Sequence, residues 1–145
     1  MKLREYAMMA GNDLRIDKSA LDEESGKTAQ LHGKYLLLYL DETTKLEILN
    51  RAFDSLRHDR KLYYLGKAAP EVYKAKPFDL LVKPIKSEVE EFLSADPDIQ
   101  VADAEIKEQE KIVKFLNDTI KQVNQRGFEI RAMIDWIKFK HGLNG

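Results

Sequence analysis

The chain has 145 residues, enough for one domain with a modest core. Its composition, 43% apolar and 34% charged with few glycines and prolines, favours long helices over sheets. Cysteine is absent, which excludes a disulfide framework and a cysteine-ligated zinc site. An intracellular, cytoplasmic location is expected. The start, Met1-Lys2-Leu3-Arg4-Glu5, has an early acid and no apolar run after it, unlike a secretory signal. The longest apolar run, Tyr35 to Leu40, falls far short of the roughly 20 residues that cross a bilayer.

In chain order, a short helix covers the first dozen residues and stops near Gly11-Asn12. Asp17 or Ser19 then offers a side-chain oxygen to the orphan amides of a second helix. Helical spacing continues through Leu31, Tyr35, Leu38 and Leu40. A break is expected near Asp41 to Thr44, where Thr44 and Glu47 have capping-box spacing. Leu46, Leu49, Phe53, Leu56, Arg60 and Tyr63 then trace one helix face, and Gly66 ends it.

Residues 67–84 read differently. Three of the four prolines lie there, each disfavouring helix in the residue before it. Phe78, Leu80, Leu81 and Val82 suggest one short strand or turn inside this connection. A helix is expected from about Pro84 to Ser94, then a turn and a new helix start at Asp96-Pro97. The last helix has the clearest pattern. Val113, Leu116, Ile120, Val123, Gly127, Ile130, Ile134 and Ile137 alternate in steps of three and four. Such a seam joins helices by knobs-into-holes packing, either inside one chain or between subunits. Phe128, Met133, Trp136 and Phe139 add apolar surface outside it, which favours a helix shared between subunits. Gly127 on the seam implies a close backbone approach or a bend.

The predicted architecture is all-α: an elongated helical hairpin or bundle with a Pro-rich connection and a C-terminal, coiled-coil-like oligomerisation helix. The chain is read as a single helical domain, 1–145. Residues 1–66 form the N-terminal helices, 67–97 the Pro-rich connection and an acidic helix, and 98–145 the oligomerisation helix.

The net charge of −1 hides segregation. Residues 51–86 carry 9 basic and 4 acidic side chains, whereas residues 87–110 carry 1 and 9. Separated blocks either bind a polyanion with one face and a basic partner with another, or pair with each other as solvated faces.

Enzyme chemistry finds little support. Gly26-Lys27-Thr28 ends like a phosphate-binding loop, but Leu21 stands where the first glycine belongs. His32, His58 and His141 lack metal spacing, and no nucleophile elbow or EF-hand loop occurs. No catalytic residue, metal or cofactor is assigned. One segment has ligand-like chemistry. Arg57, Arg60, Lys61 and Lys67 suit phosphates, and Tyr63 and Tyr64 offer rings on which bases stack. The plainer alternative is that Tyr63 completes the apolar stripe beside exposed basic residues.

These residues resemble the UvsY family, the recombination mediators of large tailed phages. The resemblance rests on Asp13-Leu14-Arg15-Ile16-Asp17, on Arg60, Tyr63, Tyr64 and Gly66, on Leu93-Ser94-Ala95-Asp96, and on Arg126-Gly127-Phe128 with Ile130. Their order and spacing cover nearly the whole chain. The resemblance implies a protein without ATPase activity that binds single-stranded DNA and forms a ring of six or seven subunits through its C-terminal helix. It also implies loading of a RecA-like recombinase onto strands coated by single-strand-binding protein. In the family a basic pair just before the tyrosines contributes to DNA binding. Arg60 matches one member, but His58 stands at the other and is mostly neutral at pH 7, so Arg57 or Lys61 would have to compensate. A weak contact per subunit, multiplied by avidity in a ring, gives the expected mechanism. The alternatives are a helical oligomeric adaptor that binds only protein, and a nucleotide-dependent enzyme.

Overall fold

Gly66, with φ of 75°, ends the first long helix, and Asp96 opens the second. The computed structural model describes residues 2–78 and 84–142, so the strand or turn expected at Leu80 to Val82 lies outside the described residues. In order come α1 (Lys2–Asp13), α2 (Leu21–Tyr64), α3 (Pro70–Ala75), a 3-10 turn (Lys86–Glu88), α4 (Val89–Ala95) and α5 (Pro97–Lys140). No strand occurs among the described residues, in keeping with the all-α expectation. Among the described residues, no helix is long and apolar enough to cross a membrane.

Several boundaries depart from expectation. Asp17 closes a tight turn instead of capping α2: it accepts bonds from the Ser19 amide at 2.9 Å and the Ser19 hydroxyl at 2.6 Å. The break near Asp41 to Thr44 does not occur. The Thr44 hydroxyl bonds back to the Leu40 carbonyl at 3.0 Å, and Glu42 is buried, taking the Lys2 ammonium and the Tyr6 hydroxyl. Packing of α1 thus overrides weak local propensity. Residues 67–78 contain a helix, α3, because Pro70 stands at its first position, where a missing N–H costs nothing. The helix expected from Pro84 begins only at Val89, after the 3-10 turn.

The chain divides into two compact units, residues 1–44 with 110–145, and residues 45–109. In the first, Ala10, Tyr35, Ile112, Leu116 and Val123 form the core, flanked by Tyr6, Leu31, Leu38, Phe115 and Ile120. Each fully buried side chain of this kind stabilises the fold by about 1.5–3 kcal/mol. Asp13 accepts bonds from Lys34 at 2.6 Å and the Tyr35 hydroxyl at 2.8 Å, tying the end of α1 to α2. Arg126 is buried against α2. Its Nη1 donates to the Glu24 carbonyl and the Thr28 hydroxyl, each at 2.7 Å, and its Nη2 pairs with the Glu24 carboxylate. The Gly-Lys-Thr triplet is therefore helix surface. Lys27 pairs with Glu24 at 2.8 Å, and Thr28 meets Arg126.

The seam of α5 turns inward in this unit. Leu116, Val123 and Ile130 are buried, Val113, Ile120, Gly127 and Ile134 are half-buried, and Ile137 is exposed. Gly127 meets no close backbone among the described residues, and α5 continues through it. It borders a hollow of about 620 Å³, and a β-carbon there would meet the Thr28 methyl at 3.7 Å, an ordinary contact.

In the second unit Tyr63, Tyr64, Val89 and Leu93 make the core, with Leu65, Tyr73, Phe78 and Phe92 packed on it. Asp96 organises the unit. Its Oδ1 accepts the Asp98 and Ile99 amides at 2.9 and 3.1 Å, capping α5. Its Oδ2 accepts Arg60 Nε at 2.7 Å and the Tyr64 hydroxyl at 2.6 Å, fixing α2 to the α4–α5 corner. Burial pushes the Asp96 carboxyl up, but the bonds from Tyr64, Arg60 and the Ile99 amide prevail and hold it below its ordinary value near 3.8.

Two outcomes are expected. A depressed folded-state value means that Asp96 contributes stability above the ordinary carboxylate range and loses it as pH falls. Asp96→Asn should cost about 3–5 kcal/mol at neutral pH, since Arg60 keeps a buried charge without its partner. In urea titrations from pH 7 downward, the gap from wild type should narrow below about pH 4. Gly127→Ala should stabilise the chain by about 0.5–1 kcal/mol in urea, because the methyl fits and helix propensity rises. A loss at Gly127→Ala would mean that another backbone needs that space.

Candidate nucleic-acid interface

The basic-aromatic segment lies at the end of α2 and in the turn after it. The Lys67 amide bonds to the Leu62 carbonyl at 2.9 Å and the Gly66 amide to the Tyr63 carbonyl at 3.1 Å, a glycine-terminated helix end. That geometry turns the chain sharply into α3 and lays α3 against the last turn of α2.

The two tyrosines face inward. Tyr63 is 3% and Tyr64 8% exposed. The Tyr63 ring stacks on Tyr73 with centroids 5.2 Å apart and meets Tyr64 and Phe78 at 5.2 Å. Its hydroxyl donates to the Lys76 and Pro77 carbonyls at 3.0 and 3.2 Å. The Tyr73 hydroxyl donates back to the Tyr63 carbonyl at 2.7 Å. Tyr64 packs against Phe78 and Phe92 and spends its hydroxyl on Asp96. Neither ring is open to a base in the folded chain, which corrects their expected role as stacking platforms. The rings bury apolar area that a short helix and a proline-bearing loop cannot supply alone.

Arg60 is the second correction. It is 9% exposed, paired with Asp96, and its guanidinium lies over the Tyr63 ring at 4.4 Å and the Tyr64 ring at 5.4 Å. Burial works against its charge, and the bonds to Asp96 and Tyr64 outweigh that. Its Nη2 is buried and has no hydrogen-bond partner among the described residues. A phosphate cannot reach Arg60 without dismantling this corner.

The remaining expected residues stay accessible. His58 and Lys67 are exposed, and Arg57 and Lys61 are half-buried. Arg57 pairs with Glu90 at 2.6 Å. Lys74, Lys76 and Lys86 join them on the surface of this unit. Lys76 lies 3.8 Å from Asp98, while Lys67, Lys74 and Lys86 have no ion pair with a described residue. The excess of basic residues over 51–86 was the signal for these three lysines, but spacing alone did not separate them from scaffold residues.

A second group of exposed side chains lies at the end of α5. Phe128, Trp136 and Phe139 are each more than 60% exposed, and Ile137 is 41% exposed. Trp136 and Phe139 stack with centroids 5.8 Å apart. Lys18, Leu21, Met133, Trp136 and Ile137 line a shallow, mostly apolar hollow of about 190 Å³.

The recombination protein UvsY of Enterobacteria phage T4 is 23% identical over 145 residues, covering 98% of this chain and 99% of that protein. Crystal structures of the bacteriophage T4 recombination mediator protein UvsY superpose well. One lattice form gives a TM-score of 0.86 at 22% identity, covering 97% of this chain and 98% of the other. A second gives 0.83 at 22% identity, with 97% and 99% covered. At this identity the superposition establishes the fold. The family model described as recombination, repair and ssDNA binding protein UvsY matches residues 9–143, and the chain therefore belongs to that family of phage recombination and repair proteins that bind single-stranded DNA.

Proposed function

We propose that this chain is a recombination mediator of a tailed phage, acting in the cytoplasm of the bacterial host. It grips single-stranded DNA as a homo-oligomeric ring of six or seven subunits and loads a RecA-like recombinase onto strands coated by single-strand-binding protein. The observation that carries the reading is the number of accessible basic side chains that the second unit carries: Arg57, His58, Lys61 and Lys67, with Lys74, Lys76 and Lys86. With Tyr63, Tyr64 and Arg60 committed to the core, the contact is mainly to phosphates. It reads no sequence, as a mediator on arbitrary strands requires. Tyr63, Tyr64 and Arg60 act through the scaffold, holding the helix end and α3 that display the lysines.

Phosphate contacts from one subunit neutralise few charges, so tight binding needs several subunits on one strand. The exposed Phe128, Trp136, Ile137 and Phe139 support assembly through the end of α5, because large apolar side chains left in water favour burial in an interface. Half-buried Ile134 and Gly127 extend that surface. Strand wrapping on the ring loosens the coating protein and presents DNA to the recombinase. The acidic stretch 87–110 offers a surface for a basic partner.

Titration of a labelled oligonucleotide at two salt concentrations, beside mass by light scattering, tests the reading. Replacing Lys67, Lys74 and Lys86 together with alanine should weaken binding alike on every sequence. The salt slope should fall by roughly 0.7 per lost contact, about 2 for all three. Helical content should not change, since all three are exposed. Wild-type affinity in this variant would place the strand elsewhere.

Trp136→Glu with Phe139→Glu should reduce the particle mass toward a single chain and weaken strand binding in parallel. A wild-type chain that scatters as a monomer at micromolar concentration, or a dissociated variant that binds as tightly as wild type, rules out assembly-dependent binding.

A further inference from the structure

We propose that Glu90 is a built-in competitor for the strand: it occupies Arg57 in the unbound protein and yields it to a phosphate, setting how firmly each subunit grips DNA. This rests on the nucleic-acid reading above. Arg57 Nη2 lies 2.6 Å from both carboxylate oxygens of Glu90. A single guanidinium nitrogen therefore serves the whole carboxylate, and the two-pronged fork of a strong arginine–carboxylate pair is not used. A phosphate that engages the fork makes the better partner.

Both side chains are solvent-accessible, 39% for Arg57 and 65% for Glu90, so the exchange moves no buried charge. The position of Glu90 is nonetheless fixed. It stands in the first turn of α4, whose Val89 and Leu93 are buried in the core of this unit. Its carboxyl is held below the usual range by the Arg57 hydrogen bond, with the Lys61 charge adding to it, so it faces two of the basic side chains assigned to the strand. The pair borders a hollow of about 320 Å³ whose other carboxylate, Asp103, is matched by Lys107 at 2.8 Å. The neighbouring acids on the same stretch, Glu88 and Glu91, are exposed and make no ion pair with Arg57. A strand that must be passed to a recombinase is better held by contacts that an internal anion can take back than by every available cation at full strength.

The test is a titration of labelled oligothymidine at several salt concentrations with the full chain. Wild type is compared with Glu90→Gln, Glu91→Gln, Arg57→Ala and the Arg57→Ala/Glu90→Gln double variant. Glu90→Gln should bind at least about threefold more tightly, with a salt slope steeper by roughly 0.7, one further phosphate contact. Glu91→Gln should stay within about twofold of wild type, because it removes the same charge without freeing Arg57. Arg57→Ala should cost more when combined with Glu90→Gln than in wild type, which is the coupling a shared partner produces. Equal or weaker binding by Glu90→Gln overturns the proposal, since the pair would then organise the site. So does an equal gain from Glu91→Gln, which would mean a general field, or a gain that survives the loss of Arg57. If wild type binds no single strand at all, the nucleic-acid reading falls together with it, whereas binding that Glu90→Gln leaves unchanged refutes this inference alone. Thermal melts check that Glu90→Gln folds as wild type does.

Discussion

The second unit depends on one buried carboxylate. Asp96 accepts four hydrogen bonds, two from the first amides of α5 and two from side chains of α2. A helix start and a helix end several dozen residues apart are joined at a single group. Taking a carboxylate out of water is costly unless its lone pairs are met, and here they are met by a cation, a phenol and two amides. The acid and Arg60 each depend on the other for compensation, so neither tolerates replacement alone. The first unit repeats the principle with Arg126, which meets Glu24, Thr28 and a main-chain carbonyl on α2.

The rings of the second unit follow from that arrangement. Once Arg60 is drawn in by Asp96, its flat cation lies over Tyr63 and Tyr64, and the tyrosines have an inner face to occupy. Their hydroxyls then hold the chain after Gly66: Tyr63 takes the carbonyls of Lys76 and Pro77, and Tyr73 takes the carbonyl of Tyr63. A segment rich in proline, with few backbone donors of its own, is fastened by phenols. Among the described residues, the cations left outside are the ones that no buried carboxylate draws in. Burial thus sorts the basic residues of residues 51–86 into scaffold and surface.

Much of this was legible in the sequence, with limits that have physical causes. Gly66 and Pro97 after Asp96 are strong local signals, and each marks the helix boundary expected of it; the long seam of α5 marks a helix. Asp41 to Thr44 misled because two weak helix formers in succession resemble a cap, while the α1 side chains that bury Glu42 are distant in sequence. The short helix α3 was missed because proline was weighed as a breaker although it stood at a first position. The largest misreading concerned Arg60, Tyr63 and Tyr64. A basic residue beside aromatic rings has the same composition whether it meets a nucleic acid or an internal acid. Only the fold brings Asp96, 36 positions later, against Arg60. The α5 seam was likewise ambiguous between its own chain and another, and Leu116, Val123 and Ile130 are taken up within the first unit.

Trp136 gives the molecule an optical property that follows from its place. It is the only tryptophan in the chain, 63% exposed and stacked on Phe139. An indole in water emits at long wavelength, and one covered by another surface shifts to shorter wavelength. The tyrosines of the second unit are enclosed in their own ring cluster and report on a different region. Covering of the end of α5 can thus be followed through its own indole, without a label.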